Sequence, residues 1–573
     1  MARVDRGCYA DAAPKAEPAD AFSRTSAGEV RAIAFRSRCD HDIADHRNLP
    51  RLRHSSVMIK LFAYLLVTIA AVIVAIIVAR MIFRLPDISE RKMQVALPMD
   101  RNTTLAARVA ADMAAAQPDQ SGVVPLSSGY DAFGSRLSLT RTAEKSIDAQ
   151  YYIWHDDTTG RLLLKALLDA AQRGVRVRLL LDDNGISGMD DTLAALNAQP
   201  NFRIRLFNPS TVRTPKWAGY AFDFMRMNRR MHNKAYIVDG AAAIVGGRNI
   251  GDEYFQVSDE DYFLDLDVLA VGKVVADTSA VFDAYWNSAS AYGVEQIVGP
   301  GGDLSAFLAN VASTEVSERA RTYQDQVHTS AARFRDGAVH PELTSVQLIA
   351  DDPLKGQGRA SRDQLMITRL AGILGGVAHQ LDLVSAYFVP GPEGAAFFEN
   401  LAAQGKRVRV LTNALNTTDV LVVHAGYAKY RRQLLQAGVE LYELKLRAGQ
   451  ASGRDELKPL GISGASLHAK TFAIDGERVY IGSFNFDPRS ASLNCEMGFL
   501  IDSPSLAVQT RQAFDGPITL GAYRAVLTPD GHMVWNETFS DGHVQVHRKE
   551  PGAGWMQRAV LTFVGWLPVE WLL

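Results

Sequence analysis

The sequence has almost no cysteine. Its three thiols, Cys8, Cys39 and Cys495, match neither a disulfide framework nor a metal-ligand spacing, and they leave the cellular compartment open. It also lacks a charge bias: 61 Lys and Arg against 63 Asp and Glu give a net charge of −2, which argues against a generally basic nucleic-acid binder but not against a local patch. Residues 1–57 are poor in apolar side chains, with 9 Leu, Ile, Val or Phe against 10 Lys or Arg and 8 Asp or Glu, and no periodicity. Such a stretch is too polar to fold alone. It is expected to be a disordered tail, or an over-extended reading frame ahead of a biological start at Met58. Leu61–Ala79, by contrast, holds 19 residues without a charge or proline. As a helix at about 1.5 Å per residue it spans nearly 30 Å, so a transmembrane signal-anchor is expected over 58–84.

What is there is dominated by one motif that occurs twice. Met231–Asn249 reads MHNKAYIVDGAAAIVGGRN, and Leu467–Asn485 reads LHAKTFAIDGERVYIGSFN. Each has His, any residue, Lys, four residues, Asp, six residues, Gly-Gly/Ser, one residue, Asn. Matching all these positions twice has a chance probability far below about 1 in 10⁶. Strand alternation puts His232, Lys234, Tyr236 and Val238 on one face, and Asn233, Ala235, Ile237 and Asp239 on the other. Asp239-Gly240 and Asp475-Gly476 sit between apolar runs, as in a hairpin turn, so each return strand brings Asn249 or Asn485 back beside its His. Small residues at Gly246, Gly247, Gly482 and Ser483 permit close approach to the backbone.

Two imidazoles can share a displacement at phosphorus, one attacking while the other protonates the leaving oxygen. Two Lys and two Asn can neutralise the non-bridging oxygens, so neither a metal nor an organic cofactor is expected.

These paired motifs resemble those of the phospholipase D superfamily, whose members carry two His-x-Lys-Asp motifs in one chain and form a phosphohistidine. AQYYIW (149–154), RGVRVRLLLDDNG (173–185), GGRNIGDEYF (246–255), DVLVVHAGYAKYR (419–431), GASLHAKTFAIDG (464–476), FNFDPRS (484–490) and LPVEWLL (567–573) resemble bacterial cardiolipin synthases of the C type. The resemblance covers roughly 120–573. It implies two similar α/β, phospholipase D-like domains related by a pseudo-two-fold, behind one N-terminal transmembrane helix. Carried over by motif, His232 is the nucleophile and His468 the general acid, with Lys234, Lys470, Asn249 and Asn485 on the phosphate. Asp239 and Asp475 belong to the motif's catalytic set by name, yet strand parity favours a turn-building role. The carboxylates that orient the imidazoles are then expected from the next strand, at Glu496 and Asp265, with Asp267 as an alternative because the first half carries a longer loop there. The implied activity is phosphatidyl transfer to phosphatidylglycerol, making cardiolipin, with phosphatidylglycerol or phosphatidylethanolamine as donor. Hydrolysis to phosphatidic acid is one alternative, and a phosphodiesterase or nuclease another. The expected partners are phospholipids and a membrane rather than nucleic acid, with any accessory protein left open. Lys60 before the span and Arg80, Arg84, Arg91 and Lys92 after it place the catalytic body on the cytoplasmic side of a bacterial inner membrane if Met58 is the start.

Around the motifs the pattern is βαβ, twice. Strands at 146–154, 175–181 and 202–207 alternate with helices at 160–173 and 191–197; strands at 382–389, 407–412 and 439–444 alternate with helices at 394–403 and 423–436. The domains expected are a linker over 85–120, a first half over 121–300, a connection over 301–360, a second half over 361–530 and a C-terminal extension over 531–573. Its Trp555, Trp566 and Trp571 suit either an interfacial anchor or packing on the body. Asp156-Asp157 and Asp182-Asp183 read first as strand-end and cap residues, and His424 as a packed or solvated side chain. Arg226, Arg229, Arg230 and Arg248 flank the first motif and read either as solvated charge or as lipid-headgroup contacts.

Overall fold

The computed structural model describes residues 51–258, 262–335, 339–445 and 466–552, together with 554, 558, 561 and 570. Residues 1–50 and the three tryptophans of the C-terminal end lie outside them. The first helix, α1, runs Arg51–Ile82. Its Met58–Ile82 stretch, 25 residues and none of it buried, is the one helix among the described residues long and apolar enough to cross a membrane. At about 1.5 Å per residue it reaches about 37 Å. Its many Ile and Val cost little there, because hydrocarbon leaves the backbone no partner outside the helix. The segment after it is docked rather than loose: Arg91 donates to the carbonyls of Asn287 and Ser288 at 2.6 and 2.8 Å, and Ala96 N–H to Asp283 at 2.7 Å.

The first half contains β1 (Gln120–Leu126), β2 (Ser146–Ile153), β3 (Arg176–Gly185), β4 (Phe202–Phe207), β5 (Ala235–Val238), β6 (Ala242–Gly246), β7 (Phe263–Leu264), β8 (Asp267–Gly272) and β9 (Ala291–Gly293). The second contains β10 (Glu342–Ala350), β11 (Gln380–Ser385), β12 (Arg407–Asn413), β13 (Glu440–Leu444), β14 (Ser466–Leu467), β15 (Lys470–Ile474), β16 (Arg478–Gly482), β17 (Met497–Ile501) and β18 (Ala522–Leu527), extended by β19 (Met533–Thr538) and β20 (Val544–His547). The first sheet runs β1-β8-β6-β5-β2-β3-β4-β9. The second repeats the order as β10-β17-β16-β15-β11-β12-β13-β18. In each, the three βαβ strands are parallel and the motif hairpin is antiparallel. The parallel strands carry few outward positions, and in β3 Val177, Leu179, Leu180 and Leu181 are fully buried, as is Arg178, paired with Asp148 of β2 at 2.6 Å.

The sheets join where β1 pairs antiparallel with β10, from Gln120 opposite Ser345 to Val123 opposite Glu342. Each half has its own core, and a third cluster that includes Val123, Val245, Val268, Ile481, Met497 and Phe499 closes the seam between them. Of the stretch 301–360, the helices Leu304–Val316 and Glu318–Arg335 bury Phe307, Val311, Tyr323 and Val327 in the first core, and β10 belongs to the second sheet.

Candidate active site

Each motif folds as the predicted hairpin, β5–β6 and β15–β16. Their turns hold Asp239 and Gly240 at φ 52° and 61°, and Asp475 and Gly476 at 55° and 71°, left-handed values that Asp and Gly tolerate best. Asp239 accepts the backbone N–H groups of Glu144, Lys145 and Ser146 at 2.8–3.0 Å. Asp475 accepts those of Ala378, His379 and Gln380 at 2.7–2.9 Å. These carboxylates splice the hairpin to the start of β2 or β11, on the side away from the imidazoles. The structure therefore does not bring the motif's two Asp to the other site residues. Asp239→Asn is expected to cost about 1–3 kcal/mol of stability, since it removes the charge that three N–H groups share, while turnover at saturating substrate stays near the parent value; paired thermal melts and assays check it.

The histidines are served from the opposite half. Met231 bridges Cys495, and His232 N–H donates to Cys495 O at 2.8 Å, which delivers the next residue, Glu496, to the His232 ring. His232 Nδ1 donates to Glu496 Oε2 at 2.8 Å across 264 residues of chain. The pseudo-symmetric exchange pairs β14 with β7 in parallel and brings His468 Nδ1 to Asp265 Oδ2 at 2.5 Å. A carboxylate on Nδ1 fixes the tautomer and leaves Nε2 of each ring as the bare nitrogen. Asp267, the alternative, instead pairs with Arg136 at 2.9 Å and caps Arg248 N–H. The small residues of the return strands make room for these carboxylates: a Cβ on Gly247 would meet Asp265 Oδ1 at 2.1 Å, and its counterpart Ser483 donates its hydroxyl to Glu496.

Both rings line one cavity of about 340 Å³ with Tyr152, Tyr254, Tyr387, Asn249, Asn485 and Asp419. Tyr152 packs edge-on against His232 and Tyr254 against His468, with centroids 5.0 and 5.2 Å apart. Lys234 and Lys470 are buried and donate to the backbone carbonyls of His232 and His468. Asn249 is held by Ile153 N–H and Tyr254 Oη, and Asn485 Oδ1 is buried with no partner among the described residues. His232, Lys234, Asn249, His468, Lys470 and Asn485 thus cluster with Glu496 and Asp265.

Burial is the main influence on both imidazoles. It pushes His232 down to about 4 against the pull of Glu496, and His468 down to about 3 with Lys470 acting in the same direction. Burial alone would raise the partner carboxyls, but the facing imidazoles and lysines hold Glu496 and Asp265 below the usual range. Burial also lowers both lysines. At neutral pH the resting site is two neutral imidazoles on two carboxylates. An imidazole takes its proton near pH 6.5 once unfolded, whereas the native rings resist it until about pH 4. The unfolded state then binds more protons, so the stability present above pH 6.5 falls as pH drops toward 4. The loss from His232 alone is on the order of 3 kcal/mol. Denaturant titrations from pH 7 to 4 are expected to show it, with a shallower slope in His232→Gln.

The flanking arginines are structural. Arg230 sits 3.4 Å from Asp182, and Arg248 donates to the carbonyls of Leu126, Ser127, Tyr254 and Asp265. Arg226 pairs with Asp223, and Arg229 donates to Met225 O. Asp183 pairs with Arg213, and Asp157 caps the helix Thr158–Gln172. His155, Asp157 and Glu253 place ligand atoms within 4.8 Å of one another, but the cap and the 3.1 Å His155–Glu253 pair already engage them. His424 is buried against Glu550 at 2.7 Å. Sequence reasoning missed the cavity walls Tyr152, Tyr254, Tyr387, Asp419, Asp487, Arg489 and Asn494. The one available signal was that Tyr152 and Tyr387 stand in the two stretches, YYIW and AYFV, that the repeats share.

A duplicated α/β sheet whose two His-x-Lys hairpins converge on one cavity is the phospholipase D-like arrangement, and the chain belongs to that family. The family model described as "Cardiolipin synthase, PLD-like domain" matches residues 137–286 and 373–517. Cardiolipin synthase C of Escherichia coli K12 is 44% identical over 459 residues, 80% of this chain and 97% of that protein. A cardiolipin synthase of Listeria monocytogenes is 25% identical over 70% of this chain and 69% of its own length. Among solved structures, phosphatidylserine synthase of Haemophilus influenzae Rd KW20 covers 70% of this chain and 87% of its own, at 13% identity and TM-score 0.49. The family and the apolar α1 together make this a membrane-associated protein.

Proposed function

We propose that the protein is a phosphatidyltransferase that makes cardiolipin. The observation that carries this is the pair of buried imidazoles, each fixed at Nδ1 by a carboxylate of the other half, facing one cavity, with two buried lysines close enough to act on both rings. His232 Nε2 attacks the phosphorus of a donor phospholipid, and the P–O bond to the headgroup alcohol breaks. Burial, with Lys470 acting in the same direction, keeps His468 neutral at rest; the phosphodiester anion of the bound donor offsets both, so His468 Nε2 takes up a proton from solvent as the donor binds and passes it to the departing oxygen. The phosphatidyl group is then on His232. A hydroxyl of phosphatidylglycerol gives its proton to His468 and attacks phosphorus; the P–N bond breaks, His232 is neutral again, and His468 returns its proton to solvent as the product leaves. A phosphatidylglycerol donor releases glycerol, and a phosphatidylethanolamine donor releases ethanolamine.

Asp419 supports transfer over hydrolysis. A carboxylate on the wall of a phosphate cavity repels the phosphate, but it suits a polyol's hydroxyls; Tyr387 Oη already donates to Asp419 Oδ2 at 2.5 Å. Asp419→Asn is expected to shift products toward phosphatidic acid about tenfold, the worth of one hydrogen bond to the acceptor. We place the enzyme in a bacterial inner membrane with α1 as its anchor and the catalytic body cytoplasmic, on the basis of the cations that follow the span. Detergent-solubilised enzyme with labelled phosphatidylglycerol, with and without phosphatidylethanolamine, tests the function by lipid mass spectrometry. Cardiolipin with released glycerol or ethanolamine supports it; phosphatidic acid alone makes the enzyme a hydrolase.

A further inference from the structure

The end of α1 is stitched to a surface element that the chemistry does not use. Arg80 Nε donates to Phe222 O at 2.7 Å, and its guanidinium lies 3.7 Å from Asp223. Phe83 stacks on Phe222 with centroids 5.5 Å apart, and its carbonyl accepts from Thr211 Oγ1 at 2.8 Å. These contacts fall where the apolar stretch of α1 ends, at Ile82. If α1 spans a bilayer, residues 80–83 mark its surface, and the element bonded to them lies at the same level.

That element is a short 3₁₀ turn, Lys216–Gly219, leading into the helix Tyr220–Met227. Its inner side is fixed: Gly219 and Met227 are buried, and Arg226 is held by Asp223 and by Pro209 O. Its outer side is apolar. Trp217 is 73% exposed and Met225 56%, and Ala221 between them is exposed as well. Apolar side chains of this size turned to solvent are costly in water, but Trp is favoured at headgroup level. Arg80 is 55% exposed beside the patch and Arg84 is exposed next along the chain, which complements anionic headgroups. The element also reaches the site: Tyr220 Oη donates to Asn184 Oδ1 at 3.3 Å, and Asn184 Nδ2 to Tyr152 Oη at 3.4 Å. Tyr152 is the ring against His232.

We propose that Lys216–Met227 is a second membrane-docking element. It lies in the headgroup layer of the leaflet where α1 emerges, two side chains from the cavity wall, so the site takes its phospholipids directly from that surface. This rests on reading α1 as a bilayer span. The test uses the full chain with Cys8→Ser and Cys39→Ser, leaving only buried Cys495. Single cysteines at Trp217→Cys, Met225→Cys and, within α1, Val74→Cys carry an environment-sensitive dye. The protein is reconstituted in vesicles of phosphatidylglycerol and phosphatidylethanolamine, with or without nitroxide-headgroup lipid. All three positions are expected to lose about half their fluorescence to the nitroxide, as for side chains sunk about 5–10 Å into the boundary. Quenching at 74 with none at 217 and 225 overturns the docking element and leaves the anchor standing. No quenching at any position overturns both. Both docking positions are exposed, so either substitution is compatible with the native fold, and each reports independently.

Discussion

His232→Ala and His468→Ala are each expected to lower phosphatidyl transfer by about 10⁴-fold or more, and a good leaving group is expected to tell them apart. The two rings are structurally near-equivalent, both buried, both neutral at rest and both bonded to a carboxylate of the other half. The roles proposed for them differ only in what each does to phosphorus. Without His232 no covalent intermediate forms, so no donor rescues the variant. Without His468 the nucleophile remains and only the proton for the leaving oxygen is missing. A donor with a nitrophenol leaving group needs no proton, and His468→Ala is expected to regain the first half-reaction on it, seen as a burst of nitrophenol equal to the enzyme present. His232→Ala is expected to give no burst. A burst from His232→Ala but not from His468→Ala would reverse the assignment.

Glu496→Gln is expected to cost about 10³–10⁴-fold in kcat with little change in KM. The carboxylate does not reach the phosphate. It accepts Nδ1–H of His232 and so leaves Nε2 as the bare nitrogen, the one proposed to attack. A glutamine of the same shape can turn its amide nitrogen to Nδ1 and hold the ring in the wrong tautomer. The pocket itself should survive, because Ser483 and Ser490, whose hydroxyls donate to Glu496, can each rotate to accept instead. Rebinding of phosphate to an intact cavity separates lost positioning from unfolding. Asp265→Asn is expected to act on His468 in the same way, and the nitrophenol donor should relieve it more than it relieves Glu496→Gln.

Much of this site was legible in one dimension. Strand alternation put Asp239 opposite His232, and the structure finds its carboxylate on three backbone N–H groups rather than on the ring. Aligning the two repeats also singled out Glu496 and Asp265. What period-2 patterning cannot contain is which half each carboxylate serves. The crossing depends on parallel pairing between segments more than 200 residues apart, Ser466 with Phe263 and Leu467 with Leu264, which no local pattern encodes. The cavity walls were illegible for a similar reason. Tyr254, Tyr387 and Asp419 gain meaning only when two domains meet, and in sequence they are ordinary aromatic and loop residues. The flanking arginines show the converse. Charge beside a phosphate motif reads as ligand contact, yet Arg230 and Arg248 are buried and bonded to Asp182 and to main-chain carbonyls. Likewise the polar stretch 301–360 reads as a connection because its two helices bury only a few side chains each, Phe307 and Val311 on one and Tyr323 and Val327 on the other.

The central claim is that a phosphatidyl group passes through His232. The direct measurement is alkaline quenching of a single turnover with donor labelled at phosphorus, followed by digestion and mass spectrometry, since a phosphoramidate survives base but not acid, whereas acyl esters are lost in base. The expected result is a labelled peptide containing His232, lost in His232→Ala and accumulating in His468→Ala when the nitrophenol donor is used. Label on the peptide containing His468, or full transfer with no labelled peptide, would contradict it.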